Sequence, residues 1–496
     1  MTPLAVAALG TAAGNSITLD GSTHGTLTNA GTYTAANNSV TVLVGTINNA
    51  GEILLNAVAN NVFLQIQGGQ NVSLTGTGTV TLSTSGIGAA IINQTSGGSI
   101  LTNVNNVIQG QGEIGNNGLV LVNQVGGTIN ANAAGALTVD APTVTNQHVL
   151  QATGGGTLAV NGSTVNNNEG TILANGGTVQ FASTTIQGGT LNTLNSGVLG
   201  TAAGQAVTLD GLVSHQGTLT NTGTYTAANN SATVLLGTIN NTGAIQINAA
   251  ANITSLQIAG GQNVTLTGAG TVTLSTSGLA IINQTSGGAT LTNVDNTIQG
   301  AGQIGNNSLA LVNQTGGIIN ANAVTALVIN PSGVTNQGLL EATSGGTLQL
   351  SNSSINNKNG TIKADGANSL VQFVNGAAIQ SGTVATANGG ILGTAAGNSI
   401  TLDGSTQGQQ LTIAGTYTAA NNSTTVLFGT IDNTGTILLN AAANNTVLQI
   451  QGGQNVNLSG GGTLTMSTSG VGVAIINQRS GGSTLTNANN TIQGQG

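Results

Sequence analysis

The chain repeats itself on two scales, and both are met at once only if successive segments stack on copies of themselves. The nonapeptide GTYTAANNS occurs at Gly31 to Ser39, Gly223 to Ser231 and Gly415 to Ser423, at intervals of 192 residues, and it carries all three tyrosines, Tyr33, Tyr225 and Tyr417. GGQNV begins at Gly68, Gly260 and Gly452 with the same interval, and Phe181 in VQFAS answers Phe373 in VQFVN. IINQ starts at Ile91, Ile281 and Ile475, spacings of 190 and 194, so small insertions are absorbed locally. A solenoid tolerates them, because extra residues bulge from one coil and leave its neighbours in place.

Inside each long unit an apolar-x-Asn triplet recurs at Leu27 to Asn29, Ile47 to Asn49, Leu101 to Asn103, Leu121 to Asn123, Val144 to Asn146 and Val165 to Asn167. Neighbouring asparagines lie 20, then 20, 23 and 21 residues apart. A turn signal and a short alternating strand follow each, as in VNNNEGTILANGGTVQF, where Ile172 and Val179 face inward. A repeat of about 20 residues built this way is one coil of a parallel β-helix. A strand of four or five residues cannot bury its apolar face alone. Stacking coils about 4.8 Å apart places Val on Ile on Leu in a continuous narrow core.

The expected fold is therefore all-β, a single continuous right-handed parallel β-helix over residues 1–496 with about 20–23 residues per coil. That corresponds to about 23 to 25 coils and a rod on the order of 110 Å. Its sequence blocks are 9–197, 198–390 and 391–496, the third cut short. Asn29, Asn49, Asn103, Asn123, Asn146 and Asn167 are assigned to turn and ladder positions. Such residues supply the left-handed backbone of tight bends, and their amides can hydrogen-bond along the axis.

Composition narrows the function. Only 3% of residues are charged and 1% aromatic, with 79 Gly, three Pro and a mean hydropathy of +0.21. Few ordinary enzymes have this make-up, and disordered chains are richer in charge and Pro. Lys358, Lys363 and Arg479 are the only cations beside 11 Asp+Glu, so phosphate backbones and anionic membrane surfaces are poor partners. No apolar run reaches the length of a membrane span, and without cysteine there is no disulfide framework or thiolate metal site. Leu9 to Gly14 returns as Leu199 to Gly204 and Leu392 to Gly397, so the N-terminus reads as repeat and not as a signal peptide.

The stretch LTNVDNTIQGAGQIGNNSLALVNQTGGIINAN, Leu291 to Asn322, resembles the passenger repeats of large bacterial surface proteins, the filamentous-haemagglutinin-like adhesins and autotransporters. The resemblance rests on the N-x-x-G-x-I cadence, the NTIQGAGQIGN signature and the Thr/Asn/Gly-rich coils. Copies at Leu101 and Leu485 extend it along the chain. It implies an exported passenger at the surface of a Gram-negative bacterium, with a role in adhesion or aggregation. Leu485 to Gly496 matches Leu101 to Gly112, where the first block runs on, so the sequence reads as a fragment of a longer protein.

Catalytic chemistry finds little support. Asp20, Asp210 and Asp403 sit one per block in LDG triplets, and Asp140 answers Asn330. Glu52, Glu113, Glu169, Asp295, Glu341, Asp365 and Asp432 read as scattered single carboxylates, which cannot act as acid and base together. His24, His148 and His215 read as solvent-facing coil residues, and Gln407 stands near the place of the first and third in the last block. No catalytic, cofactor or metal residues are assigned. Each tyrosine is expected to pack on a coil face or near a corner with its hydroxyl in water, leaving Tyr33, Tyr225 and Tyr417 as candidates for surface glycan contact.

The expected function is a non-enzymatic extracellular stalk whose weak contacts, repeated along the rod, add up to avidity. Its partners would be cell-surface glycans or proteins of a host or neighbouring cell, or identical rods. Nucleic acid and a membrane span are not among them. Two other classes stay open. An ice-binding or self-assembling matrix solenoid is hinted at by TYT, TVT and TLT, and parallel β-helices also serve as polysaccharide-active enzymes.

Overall fold

Alternation of apolar and polar residues turns one side of every short strand inward. The structure, a computed structural model, describes residues 9–116, 118–215, 217–306 and 308–496 and stacks those sides into parallel sheets. The described residues form two compact units, one ending at Ala244 and one beginning at Ile245. Both are β-solenoids of parallel strands, with about 23 residues per turn and about 20 turns in all.

A turn generally contributes three strands, and each strand pairs with the third strand after it. Thr143–Asn146 stacks on Thr164–Asn166, which stacks on Thr184–Gln187. In the first unit one inward row runs Val72, Leu101, Leu121, Val144, Val165, Ile186, Leu209, Leu235. All eight are buried. In the second unit Leu291, Leu311, Val334, Ile355, Ile379, Leu402 and Leu427 form the matching row. Burying one such side chain contributes about 1.5–3 kcal/mol relative to exposure. Because the ordering entropy is of similar size, a coil is held mainly by its neighbours.

Coil length varies more than the Asn spacings imply. Leu101 stacks on Val72, 29 residues away, whereas Val165 stacks on Val144, 21 away. Corner insertions of this kind lengthen the mean turn and reduce the number of turns below the 23 to 25 expected.

The corners behave as their residue types demand. Asn38, Asn230 and Asn422, one in each GTYTAANNS copy, have φ of 66°, 65° and 65°. Each ten-residue strand that follows crosses from one face to the next: the first part of Val40–Asn49 pairs with Ser16–Gly21 and its last part with Leu27–Asn29. The change of face falls at Gly45, with φ 72°, where a Cβ would lie 2.7 Å from the backbone carbon of Gly21. Two single-turn 3-10 helices, Val213–His215 and Thr406–Gly408, follow Asp210 and Asp403.

Candidate functional site

The tyrosines are not on the surface. Tyr33, Tyr225 and Tyr417 are 3%, 0% and 0% exposed, which corrects the expectation of hydroxyls in water and removes these rings as glycan-contact candidates. The physical reason lies in two threonines, one from the strand stacked on the tyrosine in the preceding coil and one eight residues further along the same coil. The Tyr225 hydroxyl bonds Thr201 Oγ1 at 2.6 Å, and Thr201 Oγ1 bonds Thr233 Oγ1 at 2.7 Å. Tyr33 has the same relation to Thr11 and Thr41, and Tyr417 to Thr394 and Thr425. A satisfied hydroxyl removes most of the penalty for burying the ring. Burial pushes the Tyr225 and Tyr417 phenols up to about 12, against the pull of the threonine bonds.

The asparagines are joined into a directed amide chain. Asn103 Nδ2 donates to Asn123 Oδ1 at 2.9 Å, Asn123 to Asn146 at 2.9 Å, and Asn146 to Asn167 at 2.7 Å. Asn29 donates to Asn49 at 2.8 Å. The coil at Asn71–Thr75 sets Leu74 opposite Asn103 and so has no ladder amide there. Asn106 fills the gap: its Oδ1 accepts from Asn49 at 2.8 Å, and its backbone N–H donates to Asn103 Oδ1 at 3.0 Å. The second unit repeats the chain through Asn293, Asn313, Asn336 and Asn357. Where the coil before carries Leu191 or Ile413 at the ladder position, the Oδ1 of Asn221 or Asn433 is left without a donor.

Asp20, Asp210 and Asp403 each organise the loop that follows. Asp403 Oδ1 accepts the Ser405 N–H at 2.8 Å and the Ser405 hydroxyl at 2.6 Å, and Oδ2 takes the Thr406 hydroxyl. Burial raises the Asp403 carboxyl, but these bonds outweigh it and hold it below the usual range. Asp20 is held by Ser22 and Thr23 in the same way. In the middle copy Asp210 is bonded by His215 Nδ1 at 2.8 Å instead. His24 is exposed, and His148 Nδ1 bonds Gly127 O at 2.9 Å. Among the described residues no group of three or more His, Cys, Asp or Glu is placed to hold a metal ion.

The outward faces carry hydroxyls and amides in register. In the first unit Thr143, Thr164, Thr185 and Thr208 form one such row, beside Thr145, Asn166 and Gln187. In the second unit Thr361, Thr383 and Thr412 stack along a groove of about 460 Å³ whose other walls include Asn359, Gln409 and Gln410. Every side chain lining the groove is uncharged. Two residues along the strand lies the densest charge in the chain: Lys363 Nζ meets Asp365 Oδ2 at 2.6 Å, and Glu341 is its partner across the strands. Hydrogen bonds from Lys363 and Asn388 hold Asp365 low, while burial pushes Glu341 up against the pull of Lys363.

This cluster corrects the reading of scattered single carboxylates, and so does a second. Glu113 stands opposite Thr138 in the ladder, two residues before Asp140, and burial and the Asp140 charge push the Glu113 carboxyl up. Lys363 and Asp365 lie two residues apart on one strand, but Glu341 and Lys363, like Glu113 and Asp140, are about one coil apart, a separation that carries no meaning until the coil length is known. The groove was missed for a related reason, since its threonines are unremarkable in a chain rich in Thr. No helix among the described residues is long and apolar enough to cross a membrane. No protein-family model matches the chain, and no curated protein matches it.

Proposed function

We propose that the chain is a non-enzymatic, extracellular adhesive stalk, whose outward rows of threonine, asparagine and glutamine make many weak contacts with uncharged cell-surface glycans. The observation that supports this is the Thr361, Thr383, Thr412 row along a groove walled by side-chain amides. Hydroxyls and amides at about 4.8 Å intervals offer both donors and acceptors to a hydroxyl-rich chain lying across the coils. Without an aromatic platform each contact is weak, so avidity comes from repetition. The surface of a Gram-negative bacterium and a role in adhesion or aggregation belong to this proposal.

Binding of the immobilised chain to a neutral-glycan array, compared with a T361V/T383V/T412V variant, tests the reading. Glycan retention that falls about tenfold in the variant is expected, roughly 0.5 kcal/mol per lost hydrogen bond. No retention by the parent chain at any density of display would sink it.

An ice-binding reading draws on the same threonine row. The adjacent outward row in the second unit is Lys363, Ala385 and Ala414, so the paired Thr-x-Thr lattice that would order water is absent there. Ice-recrystallisation inhibition by the parent chain would favour it nonetheless.

A further inference from the structure

The two copies of one corner hold different chemistry at equivalent positions. In the second unit Gln303 Nε2 donates to Asn330 Oδ1 at 3.1 Å, and the Asn306 N–H donates to the same oxygen at 3.2 Å. In the first unit the equivalents are Glu113 and Asp140, and the Asn116 N–H donates to Asp140 Oδ1 at 2.8 Å. The amide pair supplies its own donor. A pair of carboxylates has none and must find a proton, a cation or distance.

Distance is denied by the coil. Glu113 is fixed opposite Thr138 in the ladder, two residues before Asp140, and the two side chains lie on the same outward face. A cation is not supplied by the protein nearby. No Lys or Arg precedes Lys358 in the sequence. The strands packed against Gly112–Ile114, namely Ala90–Gln94, Thr79–Thr84 and Ala136–Val139, carry no titratable side chain, and nor does Thr157–Asn161 beyond them.

We propose that Glu113 keeps its proton and donates it to Asp140, in the place of the amide hydrogen of the Gln303 and Asn330 pair, and that this makes the corner a pH-sensitive latch. With the proton in place, Glu113 donates to Asp140, and Asp140 also holds the Asn116 N–H. Loss of the proton leaves two adjacent half-buried carboxylates repelling each other, and the corner loosens. Burial, the Asp140 charge and the Asp140 hydrogen bond all push the Glu113 carboxyl up, against one bond from Asn116. A glutamate raised in this way adds stability that is complete below its unfolded value of about 4.3 and is lost as pH climbs through the folded one. The sign is opposite to that at Asp20 and Asp403, whose loops tighten as pH rises.

Hydrogen exchange on the full chain tests the latch. Protection of the Asn116 amide, corrected for base-catalysed intrinsic exchange, is expected to fall about tenfold between pH 4 and pH 8 as the proton is lost. In E113Q, and in the double variant E113Q/D140N that copies the second unit, it is expected to stay constant within about twofold. The Asn306 amide of the same molecule is the internal control. Constant protection in the parent chain, or a fall that persists in E113Q, overturns the proposal. Protection at pH 8 that millimolar calcium restores and a chelator removes also overturns it, by assigning the pair to a divalent cation.

Discussion

Replacing Asn123 by alanine cuts the amide ladder at its middle. Asn123 accepts from Asn103 at 2.9 Å and donates to Asn146 at 2.9 Å, with further contacts to Gly127 O at 3.0 Å and Val149 O at 3.2 Å. Without it one Asn103 amide hydrogen and the Asn146 carbonyl oxygen lose their ladder partner in a fully buried corner, where Asn146 Oδ1 keeps only a long bond from the His148 N–H at 3.4 Å. Asn103 keeps its second hydrogen on Asn106 O at 2.9 Å, so the loss on that side is one bond. Two buried groups that each lose a partner, at about 1–3 kcal/mol apiece, bring the expected cost to about 2–6 kcal/mol. A solenoid need not unfold in one step, so the suitable assay is native-state hydrogen exchange, which reads the opening free energy of each coil. The amides of Val120–Asn123 and Thr143–Asn146 should lose that amount, while distant coils stay unchanged. Asn166→Ala, on the outward face of the same stack, is the control and should stay within about 0.5 kcal/mol. An equally small effect for Asn123→Ala would refute the argument, because the ladder would then be ornamental to a fold held by its apolar rows.

Tyr225→Phe removes the hydroxyl from the threonine pair and should lower local stability by about 1–2 kcal/mol in the same assay. Tyr225 and Tyr417 are raised to about 12, so the folded state keeps phenolic protons that the unfolded chain loses from about pH 10. Stability should be intact below pH 10 and decline from there to about 12, seen as delayed tyrosinate absorbance that coincides with loss of β-sheet signal. At Asp403 the sign reverses: the lowered carboxyl stabilises its loop at neutral pH, and limited proteolysis after Gly404 should speed up as pH falls through the acid range or in D403N. Gly429→Ala should cost about 2 kcal/mol or more, measured by thermal unfolding, because φ is 64° and a Cβ would lie 2.5 Å from the Ser405 nitrogen.

What was legible in the sequence is whatever repeats. Val144, Val165 and Ile186 recur at the coil interval and become one core row, and Asn123, Asn146 and Asn167 recur beside them and become the ladder. Periodicity carries this information because stacking sets equivalent residues on one another, so a local pattern already states the contact. The same argument failed for single residues. Tyr225 reads as a large amphipathic ring suited to a surface until Thr201 of the preceding coil and Thr233 of the next strand are brought to its hydroxyl. Glu113 and Asp140 read as isolated acids, and Lys363, Asp365 and Glu341 as scattered charges. By itself the sequence determined that the chain would coil, which residues would face inward, and that asparagine would turn the corners. Only the tertiary structure decided the coil length at each turn, and with it which side chains meet: residues inserted at a corner bulge outward and keep the rows in register, but they change which sequence positions stand one coil apart.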